Sequence, residues 1–150
     1  MPPAFTVNCL IVGAQKSGTT ALANFLGAHP EICIAPWKEL HVFDAPDYQE
    51  TPGFCDQHYA GAFPNYHGQR WIVDATPAYL YLPFVAERIH RYNPEMRLIA
   101  ILRNPVERAL SHYSMEVSRR TERLGLYAAL AAEQLRLWRD RKNPAWTSSA

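Results

Sequence analysis

The sequence predicts an α/β fold, a doubly wound parallel sheet flanked by helices. Three observations carry this. Apolar strand-like runs at about 5–12, 31–35, 70–75 and 96–102 alternate with helix-like segments at about 18–27, 83–92 and from about 105 onward. Glycine, asparagine and proline punctuate the ends of these runs. The polar residues best suited to chemistry, Lys16, Glu39, Asp74 and Arg103, all fall at or beyond the C-terminal end of a run, and parallel sheets bind ligands outside their strand C-termini. Strand and helix in alternation imply right-handed crossovers.

Taken in order, Phe5 to Val12 is an apolar run that reads as a buried strand. Gly13 and Gly18 permit a tight turn, and Thr19, Thr20 and the following ALANFL open a helix. A strand at 31–35 leads into a loop holding Glu39. Residues 46–69 mix proline, glycine and aromatics without sustained periodicity; a short helix is expected from near Pro52. Tyr48, Phe54, Tyr59, Phe63 and Tyr66 there are suited to stacking on a sugar or phenol, but packing against the sheet is the expected role for most. After the strands at 70–75 and 96–102, Asn104 is placed to cap a long helix with Pro105 in its first turn. A last amphipathic helix is expected over 124–141, stopped by Asn143 and Pro144.

The 150 residues suit one domain, and an apolar fraction of 48% argues for a globular chain with a real core. A net charge of +1 gives no general pull toward nucleic acid or a membrane surface. No apolar run reaches the length of about 18 residues that a membrane helix needs. The MPPAFTV start lacks a basic segment and an apolar signal core, so a cytoplasmic protein is expected. Cys9 and Cys33 lie in apolar runs and read as small buried hydrophobes; Cys55 and His58 have no second pair to complete a zinc site.

The chemistry concentrates in IVGAQKSGTTAL, residues 11–22. Glycines that let backbone N–H groups approach an anion, followed by a helix start, make an anion cradle. A nucleoside-triphosphate loop needs G-x-x-x-x-G-K-[ST], whereas here Lys16 precedes Gly18. GAQKSGTT instead resembles the 5′-phosphosulfate loop of sulfotransferases that use 3′-phosphoadenosine 5′-phosphosulfate (PAPS), particularly heparan-sulfate-type enzymes and their bacterial relatives. A second segment, RLIAILRNPVERALSHY at 97–113, matches that family's R-x-P-x-x-R-x-x-S-x-Y signature. By resemblance, Arg103 and Ser111 hold the 3′-phosphate.

Two further segments resemble the same family. PWKELHVFD at 36–44 is similar to a K-E-x-H-F-F-D-like motif, which implies that Glu39 is the base deprotonating the acceptor hydroxyl. His41, two residues on, shares a face with Glu39 in an extended segment and is an alternative base or an orienting partner. WIVDATPAYL at 71–80 resembles a strand end where heparan-type enzymes usually carry a lysine that helps the transferring sulfuryl group; this chain has Ala75. That departure puts the electrostatic work on Lys16, with Asp74, Thr76 and Tyr79 expected to shape the acceptor cleft.

The resemblance therefore implies a P-loop-like α/β fold in which PAPS is the co-substrate, no metal is required, and a hydroxyl-bearing acceptor (sugar, phenol, lipid or peptide), or an amine, receives the sulfuryl group. It assigns Lys16, Ser17, Gly18, Thr19, Thr20, Arg103 and Ser111 to PAPS and Lys16, Glu39 and His41 to catalysis. Two alternatives stand beside it: a nucleotide kinase or NTPase using Asp74 for magnesium, and a noncatalytic nucleotide-binding module. Complete family domains carry further strands and a glycine-containing loop over PAPS, so residues 1–150 are expected to be the N-terminal, cofactor-binding part of a domain truncated at its C-terminus, either a fragment or completed by a partner.

Overall fold

The computed structural model describes residues 5–141, arranged as two compact units that divide after Arg103. The first unit holds a parallel sheet of four strands, β1 (Cys9–Gly13), β2 (Ile32–Ile34), β3 (Trp71–Ala75) and β4 (Arg97–Ala100), in the order β2-β3-β1-β4. Its helices are α1 (Thr19–Gly27), α2 (Phe54–Tyr59) and α3 (Val85–Tyr92). The second unit holds α4 (Pro105–Ser118) and α5 (Leu126–Arg141).

Period-two alternation along β1 explains why both faces of the sheet are covered. Leu10 and Val12 enter one core with Ile72, Phe43, Tyr59, Val85 and Ile89, which brings α2 and α3 to that face. Cys9 and Ile11 enter a second core with Val73, Ala75 and Ala23 of α1. The doubly wound reading is thus borne out. The chain leaves β1 for β2 on one side, returns to place β3 between them, and adds β4 on the far side of β1. The end of β1 consequently opens where the sheet order reverses, the usual ligand crevice of open α/β sheets.

Every expected element forms, and the boundaries that move do so for local reasons. β1 begins at Cys9 rather than Phe5, and the residues before it are held by side chains as well as by backbone bonds from Asn8 N to Ile72 O at 3.2 Å and from Arg97 N to Asn8 O at 3.0 Å. The Val7 N–H donates to the Tyr92 hydroxyl at 3.2 Å, and the Asn8 amide bridges Arg70 O and Ile72 N at 2.8 Å each. In the second unit, α4 starts as its sequence predicts: the Asn104 side chain accepts from Val106 N and Glu107 N, with Pro105 at the first position. α5 starts at Leu126, later than expected, because the Glu122 carboxylate takes the N–H groups of Arg123 and Leu124 at 2.8 Å. The expected stop at Asn143 and Pro144 lies outside the described residues.

The aromatics of 46–69 pack inward. Tyr59, Phe63 and Phe54 are buried, and Phe43 meets Tyr59, Tyr79 and Tyr92 edge-to-face at centroid separations of 5.6 to 6.2 Å. These rings build the core beneath the sheet rather than a stacking surface. All three cysteines are buried and free. Among the described residues no helix is long and apolar enough to cross a membrane, and no group of three or more metal-ligating side chains gathers.

Candidate functional site

The loop between β1 and α1 is shaped by close contacts at Gly13. A Cβ there would lie 2.7 Å from Leu80 Cβ and 3.2 Å from Pro77 O, so only glycine lets the strand end pass the 77–80 turn. Backbone bonds fix the passage on both sides: Leu80 N to Val12 O, Ile101 N to Gly13 O and Ala14 N to Ile101 O, each 2.8 Å. The loop then turns through Lys16 at φ 67° and Gly18 at φ 96°, both left-handed. α1 follows directly.

Gly18 gives that helix no side-chain cap, which leaves its first N–H groups without a side-chain acceptor. Ser17 is 8% exposed and its Oγ, fully enclosed, has no hydrogen-bond partner. Buried hydroxyls are rarely left so. Uncapped helical N–H groups beside an orphaned hydroxyl suit an anion bound by the loop, and the residues present fit the phosphosulfate of PAPS. Thr19 is buried and Thr20 exposed at the same helix end. Lys38 reaches across from the next segment and donates from Nζ to Thr20 Oγ1 at 2.6 Å.

The Glu39 segment is tied to the sheet at position 75. Ala35 N bonds Val73 O and Glu39 N bonds Ala75 O, both at 3.3 Å, which carries the chain along β3 past the end of β2. Beyond, Val42 and Phe43 are almost wholly buried, and their N–H groups donate to the Tyr79 hydroxyl at 2.9 and 3.3 Å. Arg88 Nη1 holds Phe43 O at 2.8 Å. Between these anchors Glu39 and His41 both adopt left-handed backbone, at φ 60° and 53°.

That local conformation corrects the reason for which the two side chains meet. They come together through two left-handed residues rather than along an extended face. His41 Nε2 stands 3.4 Å from Glu39 Oε2, and its Nδ1 lies 2.8 Å from Asp44 Oδ2. Partial burial works against charge on the ring, but Asp44 and Glu39 outweigh it and hold the His41 pKa above its ordinary value. The result is a carboxylate, imidazole and carboxylate in line, with Glu39 and His41 open to solvent and Asp44 largely covered.

Asp74, Thr76 and Tyr79 do not line a cleft; the structure buries them. Asp74 and Thr76 are fully covered and Tyr79 is 3% exposed. Asp74 accepts from Thr76 Oγ1 at 2.9 Å and from the hydroxyls of Tyr59 and Tyr79 at 3.2 Å each. Burial pushes its carboxyl up to about 6, with these donors working the other way. The magnesium role weighed for Asp74 is not supported by this placement: its two oxygens are turned inward onto three hydroxyls. The departure at Ala75 stands, and Lys38, beside Glu39 in the chain, is a cation brought to α1. No spacing rule ties Lys38 to Thr20; its segment is laid along β3 by the Ala35 N to Val73 O and Glu39 N to Ala75 O bonds.

Arg103 closes the first unit just beyond β4, and Ser111 lies within α4 of the second. Each is described within its own unit, Arg103 exposed and Ser111 partly covered.

Residues 7–135 match the sulfotransferase domain family. The chain is 37% identical over 122 residues to heparan sulfate glucosamine 3-O-sulfotransferase 6 of Mus musculus, an alignment covering 81% of this chain and 34% of that protein. It is 34% identical over 110 residues to membrane-associated sulfotransferase kil1 of Dictyostelium discoideum, covering 73% of this chain and 23% of that one. Among solved structures, a sulfotransferase from Alicyclobacillus acidocaldarius superposes with a TM-score of 0.78 at 34% identity, over 95% of this chain and 62% of that one. The chain thus spans about a third of the first relative's length. With the family match spanning residues 7–135 and relatives above 30% identity over most of the chain, the chain belongs to the sulfotransferase domain family.

Proposed function

We propose that this chain binds PAPS at the β1–α1 loop and serves an enzyme that transfers the sulfuryl group to a hydroxyl-bearing acceptor. The single observation that carries the reading is the enclosed, partnerless Ser17 hydroxyl beside the uncapped start of α1. Such a pair is what an anion would complete. PAPS supplies an activated sulfuryl group when bound. Lys16 and the first N–H groups of α1 would counter charge on the 5′-phosphosulfate, with Ser17, Gly18, Thr19 and Thr20 orienting it. Arg103 and Ser111 are assigned to the 3′-phosphate by their match to the family signature.

Glu39 is the proposed base. Its N–H bonds Ala75 O at 3.3 Å beside the end of β3, and its side chain remains accessible to a hydroxyl from solvent. His41, held by Asp44, orients Glu39 and is the alternative base. The names of the heparan sulfate relatives support a carbohydrate as the acceptor class. A kinase reading draws no comparable support, since Lys16 stands ahead of Gly18 and Asp74 is sealed in the core.

The test is calorimetric titration with 3′-phosphoadenosine 5′-phosphate (PAP) and with ADP, both without magnesium. PAP is expected to bind far more tightly. Charge-assisted contacts of about 1.5 to 3 kcal/mol make Arg103→Ala roughly ten- to a hundredfold weaker for PAP. Equal affinity for the two nucleotides would remove the proposal.

A further inference from the structure

We propose that Lys38 is a catalytic residue that contacts the sulfuryl end of the donor, an inference that rests on the sulfuryl-transfer reading above. Position 75, at the adjoining strand end, carries only a methyl group, so no charge reaches the site from β3 there. The neighbouring segment compensates. Glu39 N bonds Ala75 O at 3.3 Å, which sets the Lys38–Glu39 peptide directly beside that strand end. From this position the exposed Lys38 side chain extends to the start of α1 and donates to Thr20 Oγ1 at 2.6 Å.

An ammonium has three donors, and Thr20 takes one. The other two are free to meet an anion held at the uncapped end of α1, where the Ser17 hydroxyl also lacks a partner. Glu39 follows Lys38 in the chain, so one anchored segment presents a cation and a base together. In the transfer, the bond from sulfur to the phosphate oxygen breaks and its electron pair stays on that oxygen. A new bond forms between sulfur and the acceptor oxygen, whose proton passes to Glu39. The sulfuryl oxygens carry negative charge throughout, and Lys38 is placed to neutralise it while Lys16 faces the departing phosphate.

The distinguishing experiment compares affinity for PAPS with affinity for PAP, which lacks the sulfuryl group, in the wild-type chain, Lys38→Met and Lys38→Arg. Lys38→Met should weaken PAPS binding by about tenfold or more while changing PAP binding by less than about threefold. Lys38→Arg should retain most of the difference. Lys38 is exposed, so the variants are expected to fold, and thermal unfolding checks this. An unchanged PAPS-to-PAP ratio in Lys38→Met overturns the assignment, whether both affinities hold or both fall together. Wild-type chain that binds neither nucleotide overturns this assignment and the sulfotransferase reading alike.

Discussion

The Tyr79 hydroxyl donates to Asp74 Oδ2 at 3.2 Å while accepting the N–H groups of Val42 and Phe43, so one phenol joins the end of β3 to the loop that carries Glu39 and His41. The candidate base is thereby tied to a buried carboxylate rather than to a surface contact. Tyr59 supplies a second hydroxyl from α2 to the same oxygen. Burial raises the pKa of both phenols, which keeps them protonated as donors.

Asp74 makes stability depend on pH in a direction opposite to that of a salt-bridged aspartate. Its folded-state pKa of about 6 exceeds the ordinary 3.8, so between these values the folded chain holds a proton that the unfolded chain has lost. Stability from this group is therefore full below about pH 4 and declines until about pH 6, by roughly 2 to 3 kcal/mol. In Asp74→Asn that decline should be absent. Urea denaturation of both proteins at several pH values from 4 to 7 measures it; parallel curves would contradict the assignment.

Ser17→Ala should move stability and binding in opposite directions. Removing an enclosed hydroxyl without a partner relieves a desolvation cost, so the ligand-free variant should be as stable as the parent or more so. Loss of the same hydroxyl should weaken PAP binding by about fivefold or more if it contacts the anion. Thermal unfolding with and without PAP reads both effects.

Glu39→Gln should lower kcat by roughly 10² to 10⁴ in an active enzyme while leaving PAP affinity nearly intact. His41→Ala should have a smaller effect on rate if the imidazole orients the carboxylate. The reverse order, with His41→Ala abolishing turnover and Glu39→Gln tolerated, would transfer the role of base to His41.

Gly13→Ala should destabilise the chain by about 1 to 3 kcal/mol, because the added methyl meets Leu80 and the Pro77 carbonyl rather than open space. Gly18→Ala tests a different property. A Cβ there meets nothing within 4 Å, but the residue sits at φ 96°, so the cost is conformational and falls on the loop. Chemical denaturation of each variant, with PAP titration, separates a packing defect from a distorted anion loop.

The sequence by itself determined the alternation of strands and helices, the doubly wound sheet, the Asn104 cap and the family. Each is written in local terms: apolar runs of strand length, glycines at 13 and 18, and a polar cap before a proline. It also ordered the candidate residues at strand ends, since a parallel sheet fixes which end that is. The tertiary structure decided what periodicity cannot express. Asp74 and Thr76 read as cleft residues by their motif, but the rings of Tyr59 and Tyr79 close over them and make them part of the core. Glu39 and His41 meet through left-handed backbone held by Val42 and Phe43, a conformation no spacing encodes. Lys38 meets Thr20, 18 residues earlier in the chain, where the Glu39 N to Ala75 O bond lays its segment beside the end of β3. Contacts between distant segments depend on sheet register, and register emerges when the whole core packs.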